Sequence, residues 1–277
     1  MSSDPRPEIS LQPTEGWHCS HYFYRFDRAR LRSLGPSELS DGCSEFLAVL
    51  APEGPLAPTR LQTFVIAGHK ADFGLLAMDP DPLVIDSVHQ RLMAGPLGSA
   101  LVAAWSYVSI TEVSEYIPSV EQYGERLAKE GLTAGTDEHQ GKLKQYERRL
   151  EIMRRQRLTP DLPTWPALCF YPMNKKRAAA ENWFRLDFHE RERLMAEHGE
   201  SGMKFAGKVT QLVTVGIGLD DWEWGVTLWA RNPGFLSQIV YRMRFDEASA
   251  RFGEFGPFYI GYLATAAEIL RHCRVGQ

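Results

Sequence analysis

Two stretches of this chain repeat one another at a fixed spacing of 151 residues, and this duplication limits the available folds more than any other feature. The segment Ala71-Asp-Phe-Gly74-Leu-Leu-Ala-Met-Asp-Pro-Asp-Pro82 aligns without a gap on Trp222-Glu-Trp-Gly225-Val-Thr-Leu-Trp-Ala-Arg-Asn-Pro233. Beyond the prolines, Ile85 and Leu236, Val88 and Ile239, and Leu92 and Met243 keep the same offset. Each copy reads as a strand, then a proline at the start of a helix, then apolar residues at helical spacing. A repeat of this size means one structural unit used twice.

The flanking segments complete the unit. Strand-like Leu61–Ile66 precedes the first copy and Leu101–Ile110 follows it; Val209–Val215 precedes the second and Phe255–Tyr262 follows it. An early strand (Trp17 to Phe26; Ala167 to Tyr171) and a helix (about 36–50; about 187–198) give βαββαβ twice, the ferredoxin-like arrangement. The expected fold class is α+β: two ferredoxin-like units forming a dimeric α+β barrel whose facing sheets enclose a cavity. The expected division is 1–120 for the first unit, 121–164 for a charged helical connector ended by Pro160, Pro163 and Pro166, and 165–277 for the second.

Composition excludes several classes. A net charge of −4 without a block of like charges argues against nucleic-acid binding. The four cysteines, Cys19, Cys43, Cys169 and Cys273, form no CxxC pair, so a zinc ribbon or thioredoxin-type motif is not expected. Cys169 lies in an apolar run and reads as a buried thiol. Met1-Ser-Ser-Asp-Pro-Arg-Pro has no apolar core, and no run of about 18 apolar residues occurs, so neither signal peptide nor membrane span is expected and the cytoplasm is the expected location.

The polar residues of the second unit point to chemistry. Asp187 and Glu190 have capping-box spacing and Gly199 suits a helix end, which places His198 in the last turn on the face of Leu194 and Met195. An imidazole there is either a core histidine bonded to a carbonyl or an axial ligand of haem iron. Gln211 alternates with Val209 and Val213 on an apolar strand face, where a buried carboxamide needs a partner. Tyr171 ends a strand at Pro172, and Lys175 follows in a basic loop with Lys176 and Arg177, suited to an anionic group such as a carboxylate. The run of Arg242, Arg244, Ser249 and Arg251 is either a salt-bridge network or part of a carboxylate-binding wall. Trp183 and Trp222 are candidates to line a large aromatic ligand.

At these residues the chain resembles the coproheme decarboxylases, the haem-synthesis branch of the chlorite dismutase family. The matching motifs are Tyr-Pro-Met-x-Lys-Lys at 171–176, Asn182-Trp183, Leu194-Met-x-x-His198-Gly199, Ala206-Gly-Lys-Val-x-Gln211, Asp220-Asp-Trp-Glu-Trp-Gly-Val-Thr227, and Met243-Arg-Phe-Asp-Glu-x-Ser-Ala-Arg-x-Gly-Glu-Phe-Gly-Pro257. They cover about 165–262; the N-terminal half matches only through the fold pattern and Gly16-Trp17. The resemblance implies a homopentamer that binds iron coproporphyrin III, as substrate and redox cofactor, in the C-terminal half. With hydrogen peroxide, two propionates become vinyls through a three-propionate intermediate, and haem b is released. Supply of substrate by a coproporphyrin ferrochelatase is implied.

By matching position, the resemblance makes His198 the iron ligand, Gln211 the residue over the peroxide site, Tyr171 the radical-forming tyrosine and Lys175 the holder of the second reacting propionate. Met173, Arg157 and Ser249 match further propionate-pocket positions, and Trp183 and Trp222 match pocket or core tryptophans of the family. Met203 stands where relatives carry an arginine. Tyr171 with Gln211 groups the chain with the tyrosine–glutamine members rather than those with a small distal residue. Neutral Gln211 disfavours chlorite turnover, which relies on a distal arginine. A non-catalytic haem-binding protein would need His198 but neither Tyr171 nor Lys175.

Overall fold

The computed structural model describes residues 9–276. The N-terminal residues read for a leader, Met1 to Pro7, lie outside the described residues. The first unit comprises β1 (His18–Phe26), α1 (Arg28–Ser33), α2 (Pro36–Val49), β2 (Arg60–Ile66), β3 (Phe73–Asp79), α3 (Pro82–Ala94) and β4 (Leu101–Thr111). Helices α4 (Val120–Lys129) and α5 (Asp137–Leu158) follow. The second unit comprises β5 (Ala167–Lys175), α6 (Phe188–Met203), β6 (Val209–Val215), β7 (Trp224–Ala230), α7 (Pro233–Met243), α8 (Glu247–Phe252), β8 (Gly253–Phe255) and β9 (Tyr259–Leu263), and α9 (Ala266–His272) completes the chain's elements.

The strands run in the order β7-β6-β4-β1-β3-β2-β9-β5-β8, and β7 also pairs with β5, which closes the sheet into a barrel. Within the first unit the neighbours are β4-β1-β3-β2, and within the second β6-β7-β5-β9, the same antiparallel order traversed twice. The units join through β4–β6 and β2–β9. Helices α3 and α7 start alike: Asp81 and Asn232 cap them, each followed by proline at the first helical position. Their buried residues are Ile85, Val88 and Leu92 in one and Leu236, Ile239 and Met243 in the other, one core-facing stripe used twice.

In place of the expected enclosed cavity, the described residues pack the barrel interior with side chains. Phe23, Phe64, Tyr107, Phe170 and Trp229 fill it with buried aromatic rings. This packing explains the repeated glycines. A Cβ at Gly74 would come within 2.5 Å of the Phe64 ring, and one at Gly225 would overlap the Tyr107 ring. Each strand therefore needs a residue without a side chain where an interior ring lies against its backbone.

Outside the barrel the two halves differ. In the first unit one continuous core joins the outer sheet face (Tyr24, Phe73, Leu75) to Phe46 and Val49 of α2 and to Ile85, Val88 and Leu92 of α3. In the second unit the sheet face packs with α7 in one cluster, while Leu194 of α6 belongs to a separate cluster with Trp183, Ala248 and Phe252. Helix α6 thus packs on α7 and α8 rather than closing onto the strands. Where α6 meets the outer face of β5, β7 and β6 the two clusters do not merge, and exposed Gln211 and part-exposed His198 mark this junction as the candidate cleft.

Two boundaries differ from expectation. Helix α6 does not stop at Gly199; it runs on to Met203, because Ser201 is buried and Gly202 lies against Met243. Strand β5 does not stop at Pro172. Pro172 falls where the neighbouring strand is interrupted, between Phe170 paired with β9 and Met173 paired with β8, so its missing N–H breaks no ladder. Lys175 is consequently the last residue of a strand, not part of a loop. Among the described residues no helix is long and apolar enough to cross a membrane.

Candidate functional site

The register fixes which side chains share the cleft face. Across β5, β7 and β6, Met173 aligns with Trp224 and Val215, Tyr171 with Val226 and Val213, and Cys169 with Leu228 and Gln211. Paired residues point to the same side of a sheet, so Tyr171, Met173 and Gln211 all face the helices.

Tyr171 is buried, its ring stacked on Phe258 with centroids 4.5 Å apart and tilted toward Phe255 at 5.9 Å. Burial raises the pKa of its phenol well above the ordinary value, and Arg244 nearby offsets this in part. Among the described residues nothing hydrogen-bonds the Tyr171 hydroxyl. Met173 is half-buried beside it. Gln211 lies on the expected face beside Val209 and Val213, but it is exposed rather than buried, because α6 stands off the strands at this point.

Across the cleft, Asp187 caps α6 by accepting the Glu190 amide at 2.9 Å, while the Glu190 carboxylate pairs with Arg193 instead of closing the box. His198 lies two turns further along the helix. Its Nδ1 lies 3.1 and 3.2 Å from the two oxygens of Asp246 and 3.3 Å from the Ser249 hydroxyl. Asp246 is buried and also caps α8, accepting the Ser249 amide at 2.9 Å. Burial pushes its carboxyl up, but the His198 and Ser249 hydrogen bonds together outweigh that and hold it below the usual carboxylate range. With Nδ1 engaged, Nε2 is left as the free ring nitrogen.

Lys175 is buried at the edge of the same cluster. Its Nζ donates to the Ala248 carbonyl at 3.1 Å and sits 4.2 Å from the Trp183 ring centre. Burial lowers its pKa to about 8, against an opposing pull from Asp246. Its backbone is fixed by Glu223, a buried carboxylate that accepts the Lys175 amide at 2.8 Å and pairs with Arg177. Trp183 is itself buried edge-on against Phe252.

The structure therefore unites His198, Lys175, Trp183 and Ser249 in one cluster, facing Tyr171, Met173 and Gln211. Arg157 stands apart at the margin. It is half-buried near the end of α5, where burial lowers its pKa and Glu112 opposes that; Glu112 accepts the Trp224 indole N–H at 3.3 Å. Trp222 packs against the barrel-interior cluster, on the other side of the sheet from Trp183, and lines no common surface with it. Arg244, on the polar run that sequence left open, lies with its guanidinium 4.0 Å from the Phe255 ring centre, near Tyr171.

Sequence reasoning missed Asp246 and Glu223. Asp246 stands three residues before Ser249, the spacing of a capping residue, and this could have marked it as the start of α8. Its pairing with His198 has no local signal.

The sequence matches the family model for chlorite dismutase over residues 39–264. The chain belongs to the chlorite dismutase family. Among solved structures, a novel heme-binding protein from Thermus thermophilus is 31% identical, covering 96% of this chain and 100% of its own, with a TM-score of 0.76. Chlorite dismutase from Candidatus Nitrospira defluvii in complex with imidazole is 15% identical over 96% of this chain and 97% of its own, with a TM-score of 0.69. A mutant of that enzyme in complex with cyanide is 14% identical over the same shares, also with a TM-score of 0.69. At this identity the likeness to the chlorite dismutases is one of fold. The family match spans both halves of the duplicated barrel, so the split second core is a feature of a family member's own fold.

Proposed function

We propose that the cleft between α6 and the β5–β7–β6 face binds iron coproporphyrin III and that the chain converts it to haem b, using hydrogen peroxide to turn two propionates into vinyls through a three-propionate intermediate. The observation that carries the reading is His198: Nδ1 is held by buried Asp246, and Nε2 is free where the core of α6 does not merge with that of the sheet face. Among the described residues no group of three or more His, Cys, Asp or Glu is placed to hold a metal. An iron bound through one histidine suits a macrocycle that brings its own nitrogens.

The residues fit such a ligand. Half-buried Val213 and Met173 give an apolar margin to the face that carries exposed Gln211, and the Asp246 carboxylate sets the His198 tautomer and strengthens Nε2 as a donor. Lys175, Arg244 and, at the margin, Arg157 lie toward the Met173 end of that face, where carboxylates would be held. The bound iron supplies peroxide activation and oxidising power. Each conversion takes one propionate and one peroxide to one vinyl, one carbon dioxide and two waters. In this reading Tyr171, with its unbonded phenol, removes hydrogen from the propionate, Lys175 orients the second propionate, and Gln211 flanks the peroxide without adding charge. Met173, Trp183 and Ser249 line the pocket. Supply by a coproporphyrin ferrochelatase and assembly as a homopentamer belong to the same reading.

The test is to titrate purified protein with ferric coproporphyrin III, add peroxide stepwise and follow the pigments by HPLC with mass detection. Stepwise loss of two carboxyl groups is expected, with His198→Ala losing the bound spectrum and Tyr171→Phe keeping it while losing turnover. A bound spectrum that only bleaches would leave a haem-binding protein in place of this enzyme. Full-rate turnover by Tyr171→Phe would remove the phenol from the mechanism.

A further inference from the structure

A second concave surface lies in the first unit, where α1, the β2–β3 loop and the end of α9 meet. It is a cleft of about 600 Å³ lined by Arg28, Arg32, Asp72, His272 and Arg274 among others, a volume in the range of small-molecule sites. Arg28 is its fixed wall: Nη2 donates to Asp72 Oδ1 at 2.9 Å and Nη1 to the Cys273 carbonyl. The second Asp72 oxygen accepts the Phe26 amide at 2.7 Å, so the one acid of the cleft is fully engaged. Arg32 lies one helical turn beyond Arg28, on the same face of α1. Among the described residues neither Arg32 nor Arg274 has a carboxylate within ion-pair distance.

The backbone gives a second, independent pointer. Arg274 is the only non-glycine among the described residues with a positive φ, at 54°. It follows the C-cap of α9, where Val275 N–H returns to the Leu270 carbonyl at 2.9 Å. Helix ends of this kind ordinarily place glycine there, because a side chain is strained in the left-handed region. The Arg274 backbone conformation thus sets a second guanidinium beside Arg32 at a position where glycine would be unstrained.

We propose that this cleft binds a small, multiply charged oxyanion, gripped by Arg32 and Arg274 against the Arg28 wall. Guanidinium groups match phosphate and carboxylate oxygens with paired N–H donors. The lining holds no Phe, Tyr or Trp, so the ligand is recognised by its charged oxygens rather than by stacking on a large ring. The inference does not depend on the porphyrin reading.

The test follows the melting temperature of the full chain with increasing inorganic pyrophosphate or citrate, each against sodium chloride at matched ionic strength, in wild type, Arg274→Gly and Arg32→Ala. A saturable rise beyond chloride is expected in wild type. Each variant should show an apparent affinity weaker by roughly tenfold. Arg274→Gly, which relaxes the strained position, should melt at or above the wild type without anion. A response to pyrophosphate alone marks a phosphate-bearing ligand, one to citrate alone a polycarboxylate, and one to both a site that reads charge. No rise beyond chloride, or a rise undiminished in both variants, overturns the proposal, the latter by assigning the response to another basic site such as the porphyrin cleft.

Discussion

His198 and Asp246, 48 positions apart in the chain, meet through the imidazole Nδ1 and a carboxylate oxygen 3.1 Å away. The pair joins the middle of α6 to the first turn of α8, and so couples the candidate iron ligand to the helix cap that also orders Ser249.

Replacing Asp246 with Asn keeps a capping oxygen but removes the charge. Ferric coproporphyrin III should bind about 10–100-fold more weakly, as for other partners of metal-bound histidines, read from a Soret titration. The carboxyl is held below its ordinary range, so its stability contribution is complete above the unfolded value and lost as pH falls through the folded one. Asp246→Asn should lack that acid-side loss in urea denaturation.

Gly199→Ala tests the helix boundary directly. Gly199 is inside α6, and a Cβ there meets nothing within 4 Å. Alanine should therefore stabilise the chain by about 0.5–1 kcal/mol, measured by chemical denaturation. A left-handed capping glycine at this position would give the opposite sign.

Lys175 carries a burial penalty on its charged form, with its pKa lowered from 10.5 to about 8. Below pH 8 both folded and unfolded forms are protonated and the penalty is fully present; it fades as pH rises from 8 to 10.5, where the unfolded chain binds more protons. Lys175→Met should be more stable at neutral pH by ~1–3 kcal/mol and lose the alkaline rise, while retaining coproporphyrin less well.

His21 gives a second pH signature. It is buried inside the barrel, its Nε2 bonded to Thr227 at 2.8 Å and its Nδ1 without a partner, and burial lowers its pKa from 6.5 to about 3. Between those values the unfolded chain binds the extra proton, so stability should fall on acidification by up to ~1.4 kcal/mol per pH unit from this residue. His21→Leu should flatten that slope in denaturation curves between pH 4 and 6.5.

Much of this architecture is legible in the sequence because it is written twice. The 151-residue offset is matched by the starts of β3 and β7, Phe73 and Trp224, and of α3 and α7, Pro82 and Pro233. β1 and β5, and β2 and β6, are 149 apart; the two extra residues fall in the loop between β6 and β7. Strand alternation put Gln211 on the face of Val209 and Val213, where the structure has it. It could not show that Gln211 is uncovered, because periodicity gives a direction but not what packs opposite. Pro172 misled because local chemistry ends a strand there, whereas the neighbouring strand happens to be interrupted at the same place. Asp246 was legible as a helix cap but not as the partner of His198, since that contact depends on how α6 and α8 meet.

The packed interior of the barrel has a consequence for how such a chain evolves. Its aromatic core draws on both copies of the unit, so each copy is anchored from inside whatever happens on its outer face. One outer face could then give up its helix–sheet packing without the copy coming apart, while the other kept a full core as ballast. Duplication in this fold therefore yields robustness in one half and room for chemistry in the other, from a single repeated plan.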